Sequence, residues 1–392
     1  MTVQPGGSAT TALKFVVLLG VVSLFADMTY EAARSITGPY LAMLGASGTI
    51  VGVVAGFGEL IGYALRLVSG YVADKTGKYW GITIVGYGIN LVAVPLLALA
   101  GRWELAAFFI IAERLGKAIR TPARDAMLSH ATAAMGRGWG FGLHEALDQV
   151  GAMLGPLIVA IVLYVGGSYQ AGFAVLAIPA VLAVSVLLAA RVLYPKPRDL
   201  DVEVVELKAE GFPRVFWLYV AAATFVAAGY ADFPLIAYHF GKTSTVPAVW
   251  ISVFYAIAMG VDALAALIFG RLFDRMGIAI LIVAVLLSSL FAPLVFLGGF
   301  YAALGGMILW GLGMGAQESI MRAGVAGMVS PNKRGSAYGV FSTGFGLYWF
   351  LGSAAMGWFY DVSIPSLVAF SVGTQLLAVP LFVLAKKHEA RS

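Results

Sequence analysis

About twelve apolar stretches, each of about 20 residues or more and separated by short loops, make up nearly the whole chain. They run over roughly residues 12–40, 47–73, 79–101, 103–128, 138–166, 169–193, 213–240, 246–273, 277–299, 300–328, 334–362 and 364–386. At a rise of ~1.5 Å per residue, about 20 residues cross the ~30 Å of bilayer hydrocarbon. Lipid offers no hydrogen bonds, so each crossing segment has to satisfy its own backbone, and helices do that. Charged residues amount to 11%, against roughly a quarter in soluble domains, which is too few to build a water-facing surface. The chain therefore reads as an all-α integral membrane protein with twelve transmembrane helices. Residues Met1–Thr11 lack the basic region and small-residue cleavage site of a signal peptide, so the first stretch is expected to be a retained helix.

Several function classes fall away on residue content. There are no cysteines and only four scattered histidines (His130, His144, His239, His388), so no disulfide, metal site or cofactor is expected. The net charge of +5 comes without any basic run outside the short loops, so nucleic acid is not an expected partner. Lipid orientation accounts for it instead. With the N-terminus inside, the inner loops and tail hold Lys75, Lys78, Arg137, Lys196, Arg198, Lys208, Arg275, Lys333, Arg334, Lys386, Lys387 and Arg391, while the outer loops hold Arg102 and Lys242. That asymmetry predicts a multi-pass protein of the cell (inner or plasma) membrane with both termini cytoplasmic.

The segment around Pro195 and Pro197 carries five carboxylates (Asp199, Asp201, Glu203, Glu206, Glu210) and reads as a solvated linker. It divides the chain into bundles at 1–193 and 213–392, joined by 194–212. A repeat supports the division. Gly70-Tyr-Val-Ala-Asp74-Lys-Thr-Gly77 returns as Gly270-Arg-Leu-Phe-Asp274-Arg-Met-Gly277, an offset of 200 that also pairs Phe25 with Phe225 and Tyr30 with Tyr230. A second offset, 197, pairs Arg137-Gly138 and Phe141-Gly142 with Arg334-Gly335 and Tyr338-Gly339. Duplicated halves facing a central site are a common plan for secondary transporters.

These residues resemble the major facilitator superfamily along essentially the whole chain, with Gly70 to Lys78 similar to its signature loop between helices 2 and 3. The resemblance implies two pseudo-symmetric six-helix bundles working by alternating access. It also implies a conformational latch formed by Gly70, Asp74 and Gly77 with their copies Gly270, Asp274 and Gly277, in which Arg120 or Arg124 of helix 4 partners Asp74. Gly151-Ala-Met-Leu-Gly155-Pro156 in helix 5 is similar to an element of drug and metabolite antiporters, although a G-x-x-x-G stripe also serves plain helix packing. Arg114 with Gly116 resembles a helix-4 motif associated with proton coupling, here with Glu113 before it and Lys117 after it.

A charge at the bilayer centre costs on the order of 2.5–3.5 kcal/mol on insertion scales, so a group of them calls for an explanation. Asp27, Glu31 and Arg34 share one face of helix 1 at i, i+4, i+7 spacing. Helix 2 adds Glu59 and Arg66, helix 4 Glu113, Arg114 and Lys117, and helix 5 His144, Glu145 and Asp148. Mutual neutralisation in ion pairs explains Glu59, Arg66 and Lys117 as well as function does, whereas Asp27, Glu31 and Asp148 read as functional. A carboxyl group lifted out of water is suited to exchanging a proton. The candidate proton-coupling residues are Asp27, Glu31, Asp148, Glu145, Glu113 and Arg114. The candidate substrate-binding residues are Arg34, Glu59 and His144, with Trp310, Tyr348 and Trp349 from the less charged second half.

The expected function is secondary transport: proton-coupled antiport that exports a small amphipathic compound. The alternatives are proton-linked uptake of a small polar or anionic metabolite gripped by Arg34 or Arg114 and, more weakly, transport of a divalent metal ion. An enzyme is not expected, since no H-E-x-x-H, G-x-S-x-G or nucleotide loop occurs. The partners expected are a small-molecule substrate, protons and the lipid bilayer, with the chain acting as a monomer.

Overall fold

The computed structural model describes residues 9–132, 137–195, 211–329 and 334–389, so most of the expected linker, 196–210, lies outside the described residues. The described residues form helices and no strand. In chain order the helices are α1 (Ala9–Met43), α2 (Gly48–Thr76), α3 (Tyr79–Leu96), α4 (Trp103–Thr132), α5 (Arg137–Tyr164), α6 (Tyr169–Val175) and α7 (Ala177–Leu193). The second half continues with α8 (Arg214–Gly229), α9 (Phe233–Thr243), α10 (Ala248–Met276), α11 (Ile278–Ser288), α12 (Phe291–Leu297), α13 (Phe300–Met328), α14 (Arg334–Val362) and α15 (Ile364–Glu389).

Three pairs of these helices are each one apolar span with a break inside: Tyr169–Leu193, Arg214–Thr243 and Ile278–Leu297. Merging them gives the twelve crossings expected from sequence. The breaks have a common cause. Proline lacks an N–H and its ring collides with the carbonyl four residues earlier. Pro179, Pro234 and Pro293 each stand three or four residues after the start of a break, at Leu176, Tyr230 and Ser289. Among the described residues, nine helices or merged spans are long and apolar enough to cross a membrane by themselves. Helix α4 is diluted by Glu113, Arg114, Lys117, Arg120, Arg124 and Asp125, and α13 and α14 by glycine, serine and aromatic residues. Large apolar side chains such as Val68, Ile161, Val192, Leu267 and Leu297 stand exposed, as a lipid-facing surface requires.

The repeated turn has a local physical reason. Gly77 and Gly277 adopt positive φ of 64° and 55°, and their N–H groups close the last turn on the Ala73 and Phe273 carbonyls at 2.8 Å each. Residues with a Cβ avoid that conformation, so glycine ends both helices.

The chain divides into two compact units. One contains residues Met1–Ala33, Leu65–Ala100 and Leu105–Val204; the other contains Arg34–Ala64, Gly101–Glu104 and Val205–Ser392. Inside the first unit, α3 packs on α6 and α7. Gly151 and Gly155 bring α5 onto the backbone of α1, where added methyl groups would strike the Leu24 and Met28 carbonyls. Within the second unit, α10 lies along α13 and α8 along α14 and α15. There Gly311 and Gly315 face the Ala258 and Asp262 carbonyls, so this glycine run is a packing seam between helices.

The second unit also holds a seam between the first part of α2 and α14. Gly48, Gly52 and Gly56 recur every fourth residue, and a methyl on any of them would collide with Tyr360, with the Ser353 carbonyl and Gly357, or with Ser353 and Phe350 respectively. Phe57 meets Phe350 and Tyr63 meets Phe345 edge-on at 5.9 and 5.7 Å between centroids. Lipid supplies no hydrophobic force between helices, so such close backbone contact is what holds them. At one end of the seam the Asp361 carboxylate accepts from the Gly48 N–H (2.9 Å), the Thr49 N–H (2.7 Å) and the Thr49 hydroxyl (2.6 Å). It thereby caps the exposed donors at the start of α2.

Candidate functional site

In the first unit, α1, α3, α4 and α5 surround a buried charge network. Asp27 and Glu31 lie on one face of α1, as their spacing predicts, and both are buried. Asp27 accepts a short hydrogen bond from the Tyr30 hydroxyl. Glu31 faces Lys117 Nζ at 3.8 Å, and that ammonium stands 4.0 Å over the Tyr30 ring. Glu113 accepts from Asn90 Nδ2 at 2.8 Å and lies 3.3 Å from Arg114 Nε, next to it in sequence.

Arg120 is 1% exposed, with its guanidinium 4.2 Å from the Tyr87 ring and 5.7 Å from that of Tyr30. None of its nitrogens has a hydrogen-bond partner among the described residues. Aromatic faces attract a cation most strongly when it is desolvated, which is how this site accommodates it. One turn on, Arg124 reaches Asp125 (2.8 Å), the Ser23 hydroxyl (2.9 Å) and Asp148 (3.8 Å). His144 places Nε2 3.0 Å from Ser23 Oγ and Nδ1 3.5 Å from Asp148. The pairs Glu31–Lys117, Glu113–Arg114 and Asp148–Arg124 each set a charge against an opposite one, which partly offsets its desolvation.

The structure thus brings Asp27, Glu31, Glu113, Arg114 and Asp148 into the interior of one unit. It leaves Glu145 exposed on α5. His144, expected to touch substrate, lies here among proton-handling candidates. Neither Arg120 nor Arg124 meets Asp74; that exposed carboxylate accepts from the Tyr79 hydroxyl at 3.1 Å. A methyl added at Gly70 would come within 3.4 Å of Pro122 of α4, whereas Gly270 faces open space and Asp274 is exposed.

A second cluster forms inside the other unit, at the break between α8 and α9. Arg34 Nη2 donates to Asp232 Oδ1 at 2.5 Å and stands 3.3 Å from Glu59 Oε1. Trp349 Nε1 donates to the other Asp232 oxygen at 3.4 Å. The carbonyls released by the break are taken up: Ala231 accepts from Trp310 Nε1 (2.9 Å), and Gly229 from Ser371 (2.6 Å) and Gln375 (3.2 Å). The Tyr230 hydroxyl donates to the Trp310 carbonyl, and its ring lies 5.8 and 5.7 Å from Trp310 and Trp349. Four of the residues expected to meet substrate, Arg34, Glu59, Trp310 and Trp349, therefore share one polar and aromatic cluster. Tyr348, next to Trp349 on the helix, points away and is 42% exposed. Broken helices inside a membrane bundle supply polar backbone where a cavity or site needs it.

Sequence reasoning did not single out Asp232 as the partner of Arg34, nor Ser23, Tyr87 and Asn90. An asparagine in the apolar α3 was a readable signal. A serine or tyrosine in a membrane helix is too common to be one. Among the described residues no group of histidine, aspartate and glutamate is arranged to hold a metal ion.

The Major Facilitator Superfamily model matches residues 19–353 and 215–392. An uncharacterized protein of Mycobacterium tuberculosis is 43% identical over 378 residues, covering 95% of this chain and 92% of the relative. An uncharacterized MFS-type transporter of Methanocaldococcus jannaschii is 35% identical over 158 residues, 40% of this chain and 39% of that one. Among solved structures, the nucleoside transporter NupG superposes with a TM-score of 0.73 at 14% identity, covering 95% of this chain and 99% of that one.

Proposed function

The chain belongs to the Major Facilitator Superfamily, and from that premise we propose that it is a proton-coupled antiporter exporting a small amphipathic compound by alternating access. Transport itself follows from the family. The proton coupling rests on one observation: Glu31 and Asp148 lie in buried ion pairs with Lys117 and Arg124, and Asp27 is buried beside them, bonded to the Tyr30 hydroxyl. A carboxylate held that way changes its protonation when its cationic partner is drawn off, and a conformational change that regroups helices does that.

The cluster around Trp310 and Trp349 sets the polar groups Asp232, Arg34 and Glu59 among aromatic rings, a combination suited to an amphipathic molecule. Uptake of an anionic metabolite would need a basic grip. Arg34 already faces two carboxylates and Arg114 faces Glu113, so the export reading is the better supported. In the cell membrane, with both termini cytoplasmic as the loop charges argue, bundles at 1–193 and 213–392 would move as the two halves of a monomer.

The test is transport in proteoliposomes under an imposed pH gradient. Outward-directed substrate movement should follow the gradient in the native protein and lose its pH dependence in Asp27→Asn and Asp148→Asn. Transport indifferent to the gradient, or coupling that survives both substitutions, overturns the reading.

A further inference from the structure

Four helices of the first unit converge on one small hydroxyl, that of Ser23, which is fully buried in α1. His144 Nε2 of α5 lies 3.0 Å from it, Arg124 Nη1 of α4 2.9 Å and the Tyr87 hydroxyl of α3 3.3 Å. Behind His144, on its other ring nitrogen, Asp148 follows at 3.5 Å. The line Tyr87, Ser23, His144, Asp148 thus runs through successive groups that each both give and accept a proton.

We propose that these four side chains form a single-file proton relay that loads and unloads Asp148, with Arg124 fixing the Ser23 hydroxyl in line. The proposal rests on the proton-coupled reading above and gives that reading a path.

The argument is one of donors and acceptors. A serine hydroxyl has one proton and two lone pairs, and a neutral imidazole has one N–H and one bare nitrogen. Arginine only donates, so Arg124 occupies one lone pair of Ser23 permanently. The remaining lone pair and the proton must then be shared between Tyr87 and His144, in one of two ways. With Asp148 ionised, His144 carries its proton on Nδ1 toward the carboxylate, Ser23 donates to Nε2, and Tyr87 donates to Ser23. When a proton enters at Tyr87, Tyr87 passes its own to Ser23, Ser23 passes its own to Nε2, and Nδ1 releases its proton to Asp148. One proton has entered, one has reached Asp148, and His144 has exchanged one neutral tautomer for the other. Asp148 Oδ1 is buried and without a hydrogen-bond donor among the described residues, so His144 and Arg124, both on Oδ2, are the groups that reach this carboxyl.

The charged and titratable neighbours of this line are Glu145 on α5, Arg120 and Asp125 on α4, and Asp27 on α1. Arg120 stacks on Tyr87 and so places a fixed positive charge at the entry end. That charge discourages a proton from resting at Tyr87 and favours its passage toward Asp148. The interaction is electrostatic and requires no contact beyond the stacking itself.

The full-length protein labelled with ¹⁵N-histidine and embedded in lipid bilayers gives a direct readout, because the two tautomers have distinct nitrogen shifts and the chain has four histidines. The His144 signals are assigned by their loss in His144→Gln. In the native protein the neutral ring should switch from the Nδ1–H to the Nε2–H form as pH falls and Asp148 is protonated. Ser23→Thr, which keeps the hydroxyl, should switch likewise. Ser23→Ala should lose the switch, as should Asp148→Asn. A ring that keeps one tautomer at every pH in the native protein, or a switch that survives Ser23→Ala, overturns the relay. A switch seen in a protein whose transport ignores the pH gradient overturns the coupled-transport reading instead and leaves the relay standing.

Discussion

Arg34 of α1 sets its guanidinium 2.5 Å from the Asp232 carboxylate, inside the break that Pro234 imposes between α8 and α9. Each of these residues is costly inside a membrane alone, and each makes the other tolerable. Breaking a buried ion pair from one side costs about 3–5 kcal/mol, because a charge is left without its partner. Asp232→Asn is therefore expected to lower the thermal stability of the purified protein sharply. Arg34→Gln should lower it further, since it takes a cation from Glu59 as well. Joining the two substitutions should recover part of the loss, and a double-mutant cycle of unfolding in detergent measures how much. Strict additivity would show that the two side chains do not interact.

Removal of the Asp361 carboxylate uncovers the first turn of α2. Helix caps of this kind contribute about 0.5–2 kcal/mol, so Asp361→Ala should lose about that much by thermal unfolding. Asp361→Asn keeps an acceptor oxygen and should lose less. Equal losses would mean that the charge, not the bonding to Gly48 and Thr49, is what matters.

The approach of α5 to α1 allows no side chain at Gly151, where a methyl would meet the Leu24 carbonyl and Asp27 Cβ. Gly151→Leu should part the two helices, and overpacking of this order costs about 1–3 kcal/mol. The expected outcome is a lower unfolding temperature together with impaired pH-driven transport, since the same contact positions Asp27 near Asp148. Retained transport at native rates would show that this glycine serves neither role.

Glu145 separates position from chemistry. It lies three residues before Asp148 on α5 but is exposed, whereas Asp148 faces His144 and Arg124. Glu145→Gln should leave stability within about 0.5 kcal/mol and leave the pH dependence of transport as it was. Asp148→Asn should abolish that dependence. A matched loss in both would put the two carboxyl groups on the same path.

The twelve crossings were legible because length and hydropathy alone decide which segments can lie in lipid. The glycines that end α2 and α10 were legible because the turn they form leaves an identical trace twice. The charged face of helix 1 could be read as well, although its division could not. Asp27 and Glu31 join the network on α4 and α5, while Arg34, one turn further, belongs with Asp232, 198 residues away. Spacing along a helix gives the face of a residue and says nothing about which neighbour covers that face. The three helix breaks were missed for a related reason. Pro39, Pro122, Pro156 and Pro380 lie in unbroken helices, so a proline by itself does not identify a break. Surrounding partners such as Ser371, Gln375 and Trp310, which take up the freed carbonyls, make one affordable at Pro234. Ser23 and Tyr87 left no trace at all, because their significance lies in what three other helices bring to them.

The glycine seam of α2 has a consequence for how the gene tolerates change. In a library carrying every substitution at residues 48 to 57, surviving variants should thin out at Gly48, Gly52 and Gly56 and remain plentiful at Val53, which is exposed. The tolerance profile would then beat with a four-residue rhythm. A deep-sequencing count of survivors would trace the contact line of α14 along α2 without any further structure being determined.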